Sequence, residues 1–203
     1  MPHLHDALVQ RILPPMTHTS NTAPSAPPAG LRIRRGTSAD AELIAALGTT
    51  TFLASFGAQN TPENLAKHLA NAFGEGIQTR ELADPAVTYL IAELDGRTAG
   101  YAQVREGDAP ACVTGASPVE VRRFYVVSDF HGTGIAQALM NACADEARRR
   151  GGRTLWLGVW SENPRAIRFY TKWGLEDVGG QTFMLGDDPQ QDRVLARSLE
   201  ARG

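Results

Sequence analysis

The 203-residue chain has two cysteines, no excess of charge of either sign, and no uninterrupted apolar run of membrane-spanning length. Two cysteines build no disulfide framework, and neither Cys112 nor Cys143 has neighbours at zinc-ligand spacing. Cys143 falls on the apolar stripe of a long helix, whereas Cys112 sits in a connecting segment. Twenty basic against twenty-two acidic residues leave a net charge of −2, so neither nucleic acid nor a membrane is an expected partner. The N-terminus lacks the apolar core of a signal peptide, which predicts a cytoplasmic protein. His3, His5 and His18 have no metal-binding spacing, and no metal is expected.

What is present divides at about residue 30. Thr17 to Gly30 is rich in Pro, Ala, Ser and Thr and reads as a flexible linker. Leu4, Leu8, Ile12 and Leu13 ahead of it have the spacing of one marginal amphipathic helix. The chain is thus read as a tail, 1–30, and a domain, 31–203, long enough for one good core. In that domain Leu31 to Arg35 reads as a strand, and Ser38 as the cap of a helix carrying Leu43, Ile44, Leu47, Phe52 and Phe56. Thr61-Pro62 opens a second helix that stops at Gly74. Val87 to Leu94 and Thr98 to Val104 are strands joined by the hairpin signal Asp95-Gly96. Strands follow at Val119 to Val127, Thr154 to Trp160, Gln181 to Leu185 and Arg193 to Ser198, with helices after Gly134 and at Pro164 to Trp173.

Two segments carry chemistry. The first is His131-Gly132-Thr133-Gly134-Ile135-Ala136-Gln137, between a strand and the helix bearing Leu139, Met140, Cys143 and Ala147. Two glycines one residue apart let the backbone aim several N–H groups into one concavity at a helix N-terminus, a cradle for pyrophosphate. An ordinary turn between strand and helix has the same outline. A dinucleotide fingerprint is excluded, because Gln137 stands where its third glycine belongs. The second segment runs from Asn163, an N-cap followed by Pro164, to Tyr170, two turns along nearly the same helix face. Ile167, Phe169 and Trp173 supply its core stripe.

Together these segments resemble the GCN5-related N-acetyltransferases. The acyl-CoA loop of that family, Gln/Arg-x-x-Gly-x-Gly/Ala, is matched at Gly134 and Ala136, with His131 in the first place. Its second signature, Asn-x-x-Ala-x-x-Phe-Tyr-x-x-x-Gly-Phe, is matched by Asn163, Ala166, Phe169, Tyr170 and Gly174, with Leu175 last. The likeness extends from about residue 31 to the C-terminus. Within the family it points to bacterial polyamine acetyltransferases of the PaiA type, through Thr51 to Phe56, Gln59 to Asn64, Trp156 to Trp160, Gly186 to Asp188 and Gln191-Asp192.

The resemblance implies an α/β fold with a mixed, mostly antiparallel sheet of about seven strands, flanked by helices and splayed at the acyl-CoA site. It implies acetyl-CoA as cosubstrate and a small-molecule amine acceptor, spermidine or spermine foremost, with a homodimer left open. Tyr170 would protonate the departing thiolate, and Phe124, Tyr125 and Val126 would bond the pantetheine like an added strand. His131, Gly132, Thr133, Gly134, Ile135, Ala136 and Gln137 would form the pyrophosphate loop, and Asn163 would contact the pantetheine arm. Several relatives place a Glu where this chain has Gly158, so the base must differ. Glu120 is a candidate acting through water, or else a salt-bridged strand residue. Asp187 and Asp188 are either turn formers or a lure for a polyamine. Trp156 and Trp160 read as core, with Trp160 also able to face a cation. Arg148, Arg149 and Arg150 suit a helix C-terminus. Two alternatives remain open, acetylation of a protein α-amino group and a non-catalytic acyl-CoA-binding domain.

Overall fold

The computed structural model describes residues 26–74 and 76–200; the expected helix around residues 4–13 and the three tail histidines lie outside the described residues. From Leu31–Arg35 (β1) the chain passes through a short 3-10 turn into Ala41–Phe56 (α1), Pro62–Phe73 (α2) and Ile77–Ala83 (α3). Val87–Leu94 (β2), Arg97–Glu106 (β3) and Pro118–Val126 (β4) follow, then Ile135–Arg149 (α4), Thr154–Trp160 (β5), Pro164–Trp173 (α5), Glu176–Leu185 (β6) and Asp188–Ser198 (β7). The strands form one sheet ordered β1-β2-β3-β4-β5-β7-β6, and its only parallel pair is β4 with β5. This is the mixed, helix-flanked α/β sheet expected.

Helical periodicity on α4 buries Ile135, Leu139, Met140 and Cys143 against Ala102, Val104, Val121, Leu155 and Leu157 of the sheet. Each large side chain so buried contributes about 1.5–3 kcal/mol. The α4 stripe alone therefore rivals a domain's net stability of roughly 5–15 kcal/mol. On the opposite face Ile44 of α1 packs on Tyr89, Ile91 and Tyr101, while Phe52, Leu65, Phe73 and Leu185 form a cluster between α1, α2 and β6. The stretch Ser38–Gln59 is long and apolar enough to cross a membrane by length and composition, contrary to the sequence reading. Here its buried Ile44 and Phe52 face the sheet and α2.

Local signals explain most boundaries. Asp95 and Gly96 both take positive φ, 50° and 76°, as a two-residue hairpin with the strands' twist requires. Thr61 caps α2, its side chain accepting from the Asn64 N–H. Ser38 does not cap α1. Thr37 precedes it, and its N–H donates to Asp40 Oδ2 at 2.8 Å, closing a capping box. The seven-residue α3 was not expected, being too short to show a full apolar period. Nor was β6 expected to begin at Glu176. Its first half is exposed, glycine-bearing edge strand with an irregularity at Asp177/Gly179, so it shows no inward–outward alternation.

The three arginines ending α4 do more than face a dipole. Arg149 and Arg150, with Arg35 from β1 and Thr88 from β2, converge on the buried Glu146 carboxylate. Burial alone would raise that carboxyl, but hydrogen bonds from Arg149, Thr88 and Arg150 and the charge of Arg35 hold it at about 2, below its ordinary 4.5. A carboxyl depressed on folding stabilises the fold above its unfolded value and loses that contribution as pH falls through the folded one. Glu146→Gln should therefore lower the melting temperature by about 5–10 °C at neutral pH. In calorimetry the gap to the parent should close as pH drops from 4.5 toward about 2.

Candidate functional site

β4 and β5 are hydrogen-bonded only from Pro118 to Glu120 and from Thr154 to Trp156. Beyond that point β4 pairs only with β3, and β5 only with β7, so the strands part and each leaves one backbone edge unpaired. A register irregularity opposite Gln103/Val104 makes Arg122 an extra residue in β4. The bulge changes which side chains face each side of the sheet at the fork. A cavity of about 410 Å³ opens there, bounded by α1, α2, β4, β5, α5, β6 and β7. Eight aromatic side chains line it, Phe52, Phe56, Phe73, Phe124, Tyr125, Trp160, Tyr170 and Phe183, among polar and charged ones. Trp160 stands edge-on to Phe56 at 5.9 Å between centroids and belongs to the cavity wall, while Trp156 is buried beside Val194 and Ala196 of β7, with Ala109, Cys112 and Val113 packed against them.

After β4 the chain makes one 3-10 turn and reaches the glycine loop. Gly132 and Gly134 take φ of 81° and 90°, the left-handed region that a side chain disfavours. Gly134 caps α4 with no side-chain bond. Among the described residues no backbone N–H from Gly132 through Gln137 finds an acceptor; the first bond of the helix is from Ala138 to the Gly134 carbonyl. Six consecutive donors therefore remain at the positive end of a fifteen-residue helix. The loop is braced from outside that arc. His131 Nε2–H donates to the Val126 carbonyl at 2.9 Å, and Thr133 Oγ1 to the Phe130 carbonyl at 2.7 Å. Both side chains thus tie the loop to the turn that precedes it.

On α5 the cap is as expected: Asn163 Oδ1 accepts from the Ala166 N–H at 3.1 Å, and Gly174 closes the helix at φ 99°. Its Nδ2 donors make no hydrogen bond among the described residues and remain for the cavity it lines. Tyr170 lines the same cavity, edge-on to Phe124 at 6.0 Å. Its hydroxyl makes no hydrogen bond among the described residues. Burial, with Tyr125 and Cys143 nearby, pushes the phenol well above its ordinary value, so it is a neutral proton carrier at physiological pH.

The ionisable groups sort by their partners. Arg123 is buried and clamped to Glu81 at 2.6 Å and to Gln103, Tyr89 and the Ala72 carbonyl, joining β4 to α2 and α3. Glu120 reaches the cavity but stands in an ion pair with Arg105 at 2.9 Å, at an angle short of a hydrogen bond; of its two expected roles, the salt-bridged one is present. His68 and Asp192 also line the cavity, and sequence reading assigned neither a role. His68 lies flat on Phe52 at 4.2 Å, and burial together with Arg123 holds its ring below the usual value, hence neutral. Asp192 has no ion pair or hydrogen bond from its carboxylate among the described residues, and burial pushes it up to about 6. Its signal was available: Asp192 is in phase with buried Val194 and Ala196 on β7, a carboxylate on an inward face.

Gly158 explains how that carboxylate fits. A Cβ there would come within 3.1 Å of Asp192 Oδ2 and 2.6 Å of Gln181 Nε2, so the bare backbone leaves the space they fill. Asp187 and Asp188 line no part of the cavity; Asp187 is paired with Lys67 at the surface, and Asp188 accepts from Gln190. Glu162 is exposed and also outside it. The turn at Gly186 fits under α2, where a Cβ would lie 2.7 Å from Asn64 Cα, and Asn64 Oδ1 accepts from the Asp187 N–H.

Comparisons with known proteins agree with this geometry. The sequence profile described as the acetyltransferase (GNAT) family matches residues 54–175. An uncharacterized N-acetyltransferase of Lactobacillus delbrueckii subsp. lactis is 31% identical over 170 residues, covering 84% of this chain and 98% of its own. One from Mycobacterium tuberculosis is 35% identical over 160 residues, covering 79% and 98%. Among solved structures, the PaiA N-acetyltransferase of Thermoplasma acidophilum in complex with coenzyme A superposes with a TM-score of 0.66 at 14% identity, covering 83% and 98%. A putative acetyltransferase of Salmonella typhimurium with acetyl-CoA gives 0.58 at 22%, covering 86% and 97%.

The free hydroxyl of Tyr170 makes a structural prediction. Tyr170→Phe removes no hydrogen bond and should leave the melting temperature near the parent's. Tyr89→Phe strips a hydroxyl that meets Glu81, Gln103 and Arg123, and should lower it by a few degrees in the same scan.

Proposed function

The chain belongs to the GNAT family of acetyltransferases, and on that premise we propose that it moves the acetyl group of acetyl-CoA to a primary amine of a small molecule, a polyamine such as spermidine foremost. The carrying observation is the fork itself, which joins six unpaired N–H groups at one end to an aromatic, carboxylate-bearing cavity at the other. A diphosphate suits the first, since its charge complements the donors and the helix dipole. A cationic amine suits the second, since aromatic faces and a carboxylate both attract it.

In this reading Gly132 to Gln137 hold the pyrophosphate. The open edge of β4 at Phe124 to Val126 bonds the pantetheine amides, and Asn163 donates to the same arm through Nδ2. The attacking nitrogen must first lose a proton, the carbonyl oxygen needs a donor as charge builds on it, and the sulfur needs a proton as it leaves. Tyr170 supplies that last proton, because burial keeps its phenol protonated and its hydroxyl is otherwise unengaged. Arg122, which lines the cavity without an ion pair among the described residues, favours a second reading, a peptide α-amino group whose backbone carbonyls the guanidinium would hold.

A thiol-release assay with spermidine, a simple monoamine and an N-terminal peptide tests the proposal. Release is expected with spermidine; release with the peptide alone would exchange the first reading for the second, and none with any amine would leave only acyl-CoA binding. Two variants check the assigned parts. Gly134→Val puts a branched side chain at φ 90° and should weaken coenzyme A binding at least about tenfold in calorimetry. Tyr170→Phe should keep that affinity while kcat falls by about 10²–10⁴ where chemistry limits turnover.

A further inference from the structure

An ammonium cannot attack a thioester until it has given up a proton, so the cavity needs an acceptor as well as the donor already assigned. Resting on the amine-acetyltransferase reading above, we infer that the Asp192 carboxylate takes that proton directly from the incoming substrate.

Elimination and geometry both lead to it. The titratable and charged groups facing Asp192 across the cavity are Glu120, Arg122, Arg123 and Tyr125 from β4, His68 from α2 and Tyr170 from α5; α1, β5 and β6 contribute none to the lining. Glu120 is committed to Arg105, and Arg123 to Glu81. Tyr125 is stacked on Tyr101 and kept protonated by burial, and Tyr170 is the donor. Asp192 is the cavity carboxylate that no described cation holds. Its Oδ2 lies over the bare backbone of Gly158, two residues past the last β5 residue that pairs with β4, on the sheet face that lines the cavity. An acceptor there opens onto the same cavity as a chain laid along the free edge of β4 at Phe124 and Tyr125. The same dry surroundings bring its proton affinity closer to that of an amine than an exposed aspartate's would be.

The step balances. Asp192 takes one ammonium proton, and the freed lone pair forms the carbon–nitrogen bond as the carbon–sulfur bond breaks. The sulfur receives the proton of Tyr170, Tyr170 recovers one from the second N–H, and Asp192 returns its own to solvent.

The rival acceptor is His68, neutral and without a hydrogen-bond partner among the described residues, so the experiment carries both. In the parent, kcat/KM for spermidine should fall about tenfold per unit as pH drops below about 6. Asp192→Asn should lower kcat by about 10²–10⁴ and abolish that limb while KM changes little. Asp192→Glu should recover part of kcat, and the limb with it. Removing a buried charge should also leave the melting temperature of Asp192→Asn at or above the parent's in mildly alkaline buffer, which separates lost chemistry from lost folding. A raised KM with kcat and the limb intact would make Asp192 a mere anchor and overturn the inference. So would a limb that survives in Asp192→Asn and vanishes in His68→Asn, or a fall in melting temperature that Asp192→Glu does not repair. A parent inactive with every amine sinks the functional reading and this inference together; an active parent with an unimpaired Asp192→Asn sinks this inference alone.

Discussion

Backbone donors and acceptors inside a sheet are normally paired, and two parallel strands that stop pairing after three residues must each be held from the other side. β7 does this for β5, matching it residue by residue from Thr154 to Trp160. β3 does it for β4, and where the bulge at Arg122 loosens their register, the buried Arg123 ties the strand to Glu81, Gln103, Tyr89 and the end of α2. That guanidinium is costly to bury and is satisfied on several sides. It adds a side-chain tie to the backbone pairing with β3 at the point where that pairing is irregular. The cavity, the open edges and the approach to the glycine loop all follow from this separation.

The cavity acts on its ionisable groups in one direction. Burial raises the phenols of Tyr125 and Tyr170 and the carboxyl of Asp192, and lowers the imidazole of His68. Every one is pushed toward its uncharged form, as a low-dielectric pocket requires. Arg123, held by its dedicated counter-charge Glu81, is the exception and stays charged. A site with this bias favours a proton transfer that leaves both partners neutral, as from an ammonium to a carboxylate, over keeping their charges apart.

The parts legible in the sequence were those written in local chemistry. The glycines at 132 and 134, the Asn163-Pro164 start, the Gly174 stop and the Asp95-Gly96 hairpin each need only their neighbours to be understood. Several stretches that carried the family likeness meet in space: Trp160 stands on Phe56, and Asn64 on the turn at Gly186 and Asp187. Harder to read was anything decided by packing across the sheet. Asp192 fits into the cavity wall because Gly158 on the neighbouring strand is bare, and Glu120 is paired with an arginine on another strand; neither fact resides in a local window. α3 and the first half of β6 escaped because one is too short and the other too exposed to leave a period.

The turn at Gly186 sits so close under α2 that a single added carbon would meet the Asn64 backbone. The missing side chain acts as a shim, setting how near the β6–β7 hairpin approaches the helix and so how wide the cavity wall they share can be. Neither α2 nor the hairpin contains any part of the glycine loop or of the parting strands. The width of the cavity and the shape of the loop are thus set by separate parts of the chain, and a change at this one turn would alter the first without touching the second.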